Sequence, residues 1–388
     1  MKYLNQLLGM VLLVTASTLY SCNLMAKEHK TTTLLTSVTK EQPAKQFVKI
    51  ALLLDTSNSM DGLINQAKGQ LWDIVNEFTH ARCGNEIRPE LQIALYEYGN
   101  DNLSSSEGYI RQVLGFSDDL DEISEKLFSL TTNGGEEFCG EVIQTSLKQL
   151  DWGKNPDDLK MIFIAGNEPF TQGKLNYKDA AHNAKEKDVV VNTIFCGNYE
   201  QGISTDWKNG ASITGGDYMA IDHNQQVVHI ETPYDDIIIQ LNSKLNKTYV
   251  SYGYLGSQKV AAQAAEDSKA YSMDKEVAVK RSVSKSSRLY KNSKWDLVDA
   301  VEADEVELAQ LAEEELPAEL KGKSKNEIER YISEKKEERK AIQKQIQELN
   351  VKRKKFIAEN QKEESGELEN AMLNAIKTQA AKKNYKWD

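Results

Sequence analysis

The run Phe47-Val48-Lys49-Ile50-Ala51-Leu52-Leu53-Leu54 limits the fold more than any other stretch of this 388-residue chain. Apart from Lys49 it is apolar throughout, so it offers no wet face. A strand of that kind needs cover on both sides, which is the situation of a parallel sheet flanked by helices. Similar runs recur at 91–99, 109–116, 158–166, 189–197 and 217–222. Stretches with apolar residues at helical spacing separate them, near 63–82, 118–130, 139–150, 176–188, 202–212 and 233–246. The alternation predicts an α/β fold over 47–250: a doubly wound, mostly parallel six-stranded sheet. The connection from Asn100 to Gly108 has no room for a helix, so it predicts a hairpin and one antiparallel edge strand. Ligands of such sheets bind beyond the carboxyl ends of the strands.

At that edge the first strand runs into Asp55-Thr56-Ser57-Asn58-Ser59-Met60. A carboxylate and two hydroxyls at alternate positions of one loop converge hard oxygen ligands, which is what a magnesium-like cation requires. Asn58 suits the unusual backbone angles that such a turn implies. Without a metal, Asp55 would instead cap backbone amides of the loop.

In this strand–loop–helix setting, Asp55-Thr56-Ser57-Asn58-Ser59 resembles the metal-ion-dependent adhesion site of von Willebrand factor A domains. The resemblance extends over roughly 47–250. Leu91 to Gly99 stands where that fold has its second strand, and Gly134-Gly135-Glu136 where the family usually has Gly-Gly-Thr. Met161 to Pro169 stands where an apolar strand usually ends in Asp-Gly, so Ala165 replaces the third-loop aspartate. The resemblance implies a divalent cation, Mg2+ first with Ca2+ or Mn2+ as alternatives. Its ligands would be Asp55, Ser57 and Ser59, with Glu136 in the place of the family threonine. Thr131, Thr132, Asn167 and Glu168 are near enough in the chain to contribute. It also implies docking of a protein partner, whose acidic side chain would complete the metal site.

Residues 1–22 form a targeting segment: Lys2, then an apolar core from Leu7 to Leu19 too short to span a bilayer. It ends in Leu19-Tyr20-Ser21-Cys22, which resembles a lipobox and implies acylation of Cys22. Residues 23–46 are polar and aperiodic, a tether. After 250 the composition changes. Residues 251–325 predict an irregular or weakly helical linker, and 326–384 a charged helical tail whose heptad pattern lapses at Lys335 and Arg339. Together these features resemble bacterial lipoproteins that carry one A domain and a charged helical tail, and they imply a lipid-anchored protein of the cell envelope.

The net charge of −11 argues against a nucleic-acid partner. Cys139 and Cys196 both fall near the carboxyl ends of strands, where a disulfide could join them. Three small buried thiols, Cys83 included, are the alternative. The chain has no Gly-x-Ser-x-Gly elbow, phosphate-binding loop or His-Glu-x-x-His, and His80, His182, His223 and His229 fall at surface or helix-end positions. No catalytic residue is assigned. The expectation is a cation-binding, non-enzymatic interaction protein; a metal-dependent hydrolase and a metal-free structural envelope protein are the alternatives.

Overall fold

The computed structural model describes residues 45–84, 86–221, 230–308, 310–360 and 367–387, without the side chains of Ser59 and of 367–370. The expectations for the targeting segment, for Cys22 and for nearly all of the tether fall outside these residues.

The strands are β1 (Phe47–Asp55), β2 (Ala81–Cys83), β3 (Glu90–Tyr98), β4 (Ile110–Ser117), β5 (Leu159–Gly166), β6 (Val190–Cys196), β7 (Tyr218–Ile221) and β8 (Tyr385–Trp387). The helices are α1 (Asp61–Phe78), α2 (Leu120–Phe128), α3 (Cys139–Gln149), α4 (Tyr177–Glu186), α5 (Tyr199–Ser204), α6 (Trp207–Thr214), α7 (Asp235–Asn246), α8 (Gly256–Met273), α9 (Lys275–Lys285), α10 (Leu297–Glu302), α11 (Lys325–Asn360) and α12 (Glu367–Ala381). Six strands form one sheet in the order β4-β3-β1-β5-β6-β7, parallel throughout except for β4 against β3. This is the mostly parallel α/β sheet with one antiparallel edge strand that the apolar runs predict.

Strand parity divides the core. Val48, Ile50, Leu52 and Leu54 of β1 pack on one face with α1, α2 and α12. Ala51 and Leu53 pack on the other with α3, α4 and α6. In the register, Asp55 stands beside Tyr98 of β3, and Leu54 beside Ala165 of β5. The first loop, the β3–β4 loop and the loop after β5 therefore leave the sheet together.

Parity also corrects the disulfide. Cys196 belongs to the α1 face and Cys139 to the α3 face, so the sheet separates them. Both are free and buried, as is Cys83.

The division into linker and tail is corrected as well. Residues 43–388 form one compact unit, and the segment after 250 is largely helical. α8 and α9 pack against α2 and α1, and α11 lies along α7, α9 and α10. β8 pairs antiparallel with β2 and brings the end of the chain to the sheet's flank. The pattern hid these helices because their buried faces are partly charged. In α9, Arg281 and Lys285 are buried, ion-paired to Asp121 and Asp267. Ser282 donates back to the carbonyl of Ala278, and the Ser284 hydroxyl reaches Asn76 Oδ1 of α1 at 2.8 Å and the Lys280 carbonyl at 3.1 Å, so both hydroxyls are satisfied. Arg339, where the heptad lapses in α11, is also buried: its guanidinium meets Asp296 and Asp299. Among the described residues no helix is long and apolar enough to cross a membrane.

Candidate functional site at the carboxyl edge of the sheet

Asp55 ends β1 with its side chain wholly buried. Its Oδ1 accepts the amide of Ser57 at 2.7 Å, a local turn that folds the loop back over the strand end. Residues 58–60 then form a short 3-10 turn that leads into α1. Asn58 is not in the left-handed region, contrary to expectation; the positive φ at this edge belongs to Gly99, at 77°. Three loops are bolted together here. Thr56 donates its amide to Tyr98 O, and its own carbonyl accepts the amide of Asn133. The Asn100 side-chain amide donates to Thr131 O at 2.9 Å. Tyr98, fully buried, donates its hydroxyl to Ala165 O at 2.9 Å.

The second loop brings in a carboxylate, but not the expected one. Glu136 is exposed, whereas Glu137 is buried in the site. An irregular loop has no periodicity from which a sequence could choose between adjacent glutamates. The adjacent carboxylates were a visible signal; which one turns inward was not. Two glycines make the space. A Cβ on Gly99 would lie 2.5 Å from Glu137 Cγ and 3.0 Å from Asp55 Oδ1, and one on Gly166 would lie 3.1 Å from Asp55 Oδ2. Gly135 is pressed against the Gly99 carbonyl, where a Cβ would sit at 2.5 Å. Side chains at these positions would fill the cradle.

Within it, Asp55 Oδ2, Ser57 Oγ and Glu137 Oε2 are buried without a hydrogen-bond partner in the protein. Burial pushes the Asp55 carboxyl up to about 7, with the Glu168 carboxylate adding to the rise; the bond from the Ser57 amide offsets part of it. Burial and the Asp55 charge push Glu137 up to about 8. The pair therefore holds protons near neutral pH, and a cation would displace them.

The other predicted residues stand further out. The Ser59 side chain is outside the described residues. Thr131 and Glu168 are exposed, and Asn167 is partly buried. Thr132 bonds Asp61 Oδ1 at 2.6 Å at the start of α1. Ala165 leaves the third loop without a carboxylate at that position. Among the described residues no three histidine, cysteine, aspartate or glutamate side chains gather as a metal cluster. Glu97, at the end of β3, is buried too, but it is ion-paired with Arg111.

This edge can hold a hard cation through two carboxylates and a hydroxyl. The two thiols nearby are not activated, since burial raises Cys139 and Cys196 well above their usual range.

Residues 49–209 match the family described as von Willebrand factor type A domain. The chain carries an A domain. Domains of this type are generally non-catalytic modules that mediate protein–protein interaction. Similar solved structures include a conserved hypothetical protein, BatB, from Bacteroides thetaiotaomicron, at 16% identity over 45% of this chain and 90% of that one, with a TM-score of 0.35. An aerotolerance-related membrane protein from Bacteroides fragilis is 15% identical over 45% of this chain and 92% of that one, with a TM-score of 0.32. The pilus adhesin SpaC from Lactobacillus rhamnosus GG is 13% identical over 47% of this chain and 28% of that one, with a TM-score of 0.34. No curated protein matches the chain.

Proposed function

We propose that this A domain binds a divalent cation at the carboxyl edge of its sheet and presents the loops so organised to a protein partner. The observation that carries the reading is the set of buried, unpartnered oxygens on Asp55, Ser57 and Glu137. Buried acceptors without partners cost free energy, which a hard cation would recover. The residues fit such an ion: Gly99 and Gly166 keep the cradle open, and the donors are all oxygens. Mg2+ is the expected ion, with Ca2+ and Mn2+ as alternatives.

The lipid anchor at Cys22 and a place in a bacterial cell envelope belong to the same proposal, supported by the apolar segment that ends in Leu19-Tyr20-Ser21-Cys22. Three acyl chains, at about 0.8 kcal/mol per buried methylene, would exceed what stable anchoring needs.

Calorimetric titration of the full chain with Mg2+ and Mn2+, wild type against Asp55→Asn, tests the cation. Uptake by the wild type alone supports it; equal heats from both chains sink it. Fatty-acid labelling of cells, compared with Cys22→Ser, tests the anchor.

A further inference from the structure

The resemblance implies a metal site that a partner's acidic side chain completes. The second loop here departs from that arrangement. Glu137 is 5% exposed, close to Asp55 across Gly99, and its Oε2 has no partner in the protein. Its exposed neighbour Glu136 shows that the loop could have left a glutamate in water. Two carboxylates also balance the charge of one divalent ion, which a lone Asp55 would not.

We infer that Glu137 is an internal carboxylate ligand, which occupies the place that a partner's acidic side chain would take. The inference rests on the cation reading above and sharpens it. The ion then ties the first loop to the second within one chain, and a partner meets the ordered loop surface without contributing a metal ligand. This replaces the expectation, drawn from the resemblance, that a partner's acid completes the site.

The test uses the full chain and Mn2+ alone as the probe, with affinity read by calorimetry and by the paramagnetic effect of the ion on water relaxation. Glu137→Ala should weaken Mn2+ binding by about tenfold or more, because affinity in oxygen sites follows the number of charged ligands. Glu136→Ala, which removes the same charge one residue away, should leave it unchanged. Added acetate should restore affinity to Glu137→Ala and do nothing for the wild type, whose position is already filled. Thermal unfolding without metal verifies that each variant folds, and Glu137→Gln, which keeps the shape, serves if the alanine variant does not. Wild-type affinity in both Glu137 variants, or acetate strengthening the wild type equally, overturns the inference while leaving the Asp55 site standing. A wild-type chain that takes up no Mn2+ overturns both.

Discussion

Asp55 is a carboxylate taken wholly out of water and Asp267 one taken largely out of it, and their surroundings treat them in opposite ways. Asp267, on α8, sits between the Arg281 Nε at 2.6 Å and the Lys285 Nζ at 2.7 Å, with the amides of Asn242 and Asn246 on the same carboxylate. Burial works to raise its pKa, but Lys285 and Arg281 overcome it and hold the group far below the usual carboxylate range. Asp55 has one backbone amide, that of Ser57, no cation, and a second acid beside it. A charge buried with its counter-ions fastens one element to another. An acid buried without one is pushed toward its protonated form, and the sheet edge keeps two such acids. The comparison sets two regions of one chain apart: the helical cover neutralises its own buried charge, whereas the buried acids of the sheet edge have no cation from the described residues beside them.

The largest effect should come from breaking the paired side. Arg281 lies 5.1 Å above the Trp72 ring and bonds Asp121 and Asp267. Arg281→Ala would take the ion-pair partner from the buried Asp121, take one of two cations from Asp267 and remove that stacking, at a cost of about 3–5 kcal/mol. Urea unfolding should show the midpoint fall accordingly. A loss below about 1 kcal/mol would mean that α9 is not fastened through this cluster.

The unpaired side should respond with the opposite sign. The Asp55 carboxyl, raised to about 7 from an ordinary 3.8, and Glu137, raised to about 8, bind more protons folded than unfolded between those limits. Their contribution is complete below the unfolded values and is lost as pH rises through about 7 to 8, so the ion-free domain should weaken over that interval. Asp55→Asn removes part of that loss and should stabilise the ion-free protein at about pH 8, by about 2 kcal/mol for a shift of this size shared between coupled groups. It should change little near pH 4. Melting in chelator at both pH values is the measurement, and a destabilised Asp55→Asn at pH 8 would contradict the account.

An added ion should erase the same difference. Saturating Mg2+ at about 100 times its dissociation constant stabilises by about 2.7 kcal/mol. Because the ion competes with the protons on Asp55 and Glu137, the gain should be larger at pH 8 than at about pH 5.5. Identical gains at the two values would place the ion elsewhere.

Much of the sheet was legible because a strand buried on both faces writes itself as an unbroken apolar run, as in Phe47–Leu54. The first loop drew notice because its oxygens lie within a few residues of one another, and two of them, on Asp55 and Ser57, are buried at the sheet edge. What could not be read depended on partners distant in sequence. Arg281 and Arg339 look like solvated charges until Asp121, Asp267 and Asp296 are brought to them by the fold. Tyr96, Glu97 and Tyr98 suggest one wet face by their alternation, yet all three are buried: the tyrosines pack with α3, and Glu97 on the other face pairs with Arg111 of the edge strand and meets the Thr56 hydroxyl. Glu137 was hidden by adjacency to Glu136, and the parity of Cys196 was hidden by a strand whose two faces are equally apolar.

The smallest effect is expected on the outer face of α11, where the rule about partners should fail. Lys344 and Glu348 face each other at 3.9 Å with side chains 78% and 60% exposed. Water screens such a pair, and holding two long side chains in one geometry costs entropy, so an exposed pair contributes little. One turn away in the same helix, Arg339 has its guanidinium 4.1 Å above the Tyr249 ring and bonds the Thr248 carbonyl at 2.7 Å as well as Asp296. Glu348→Gln should leave the urea midpoint unchanged within error, whereas Arg339→Met should lower it clearly. The two substitutions each remove one charge from the same helix, so any difference between them measures burial and partner geometry, not charge. A Glu348→Gln loss comparable to that of Arg339→Met would show that α11 is held by its whole charge pattern, and the contrast between paired and solvated ions on this cover would collapse.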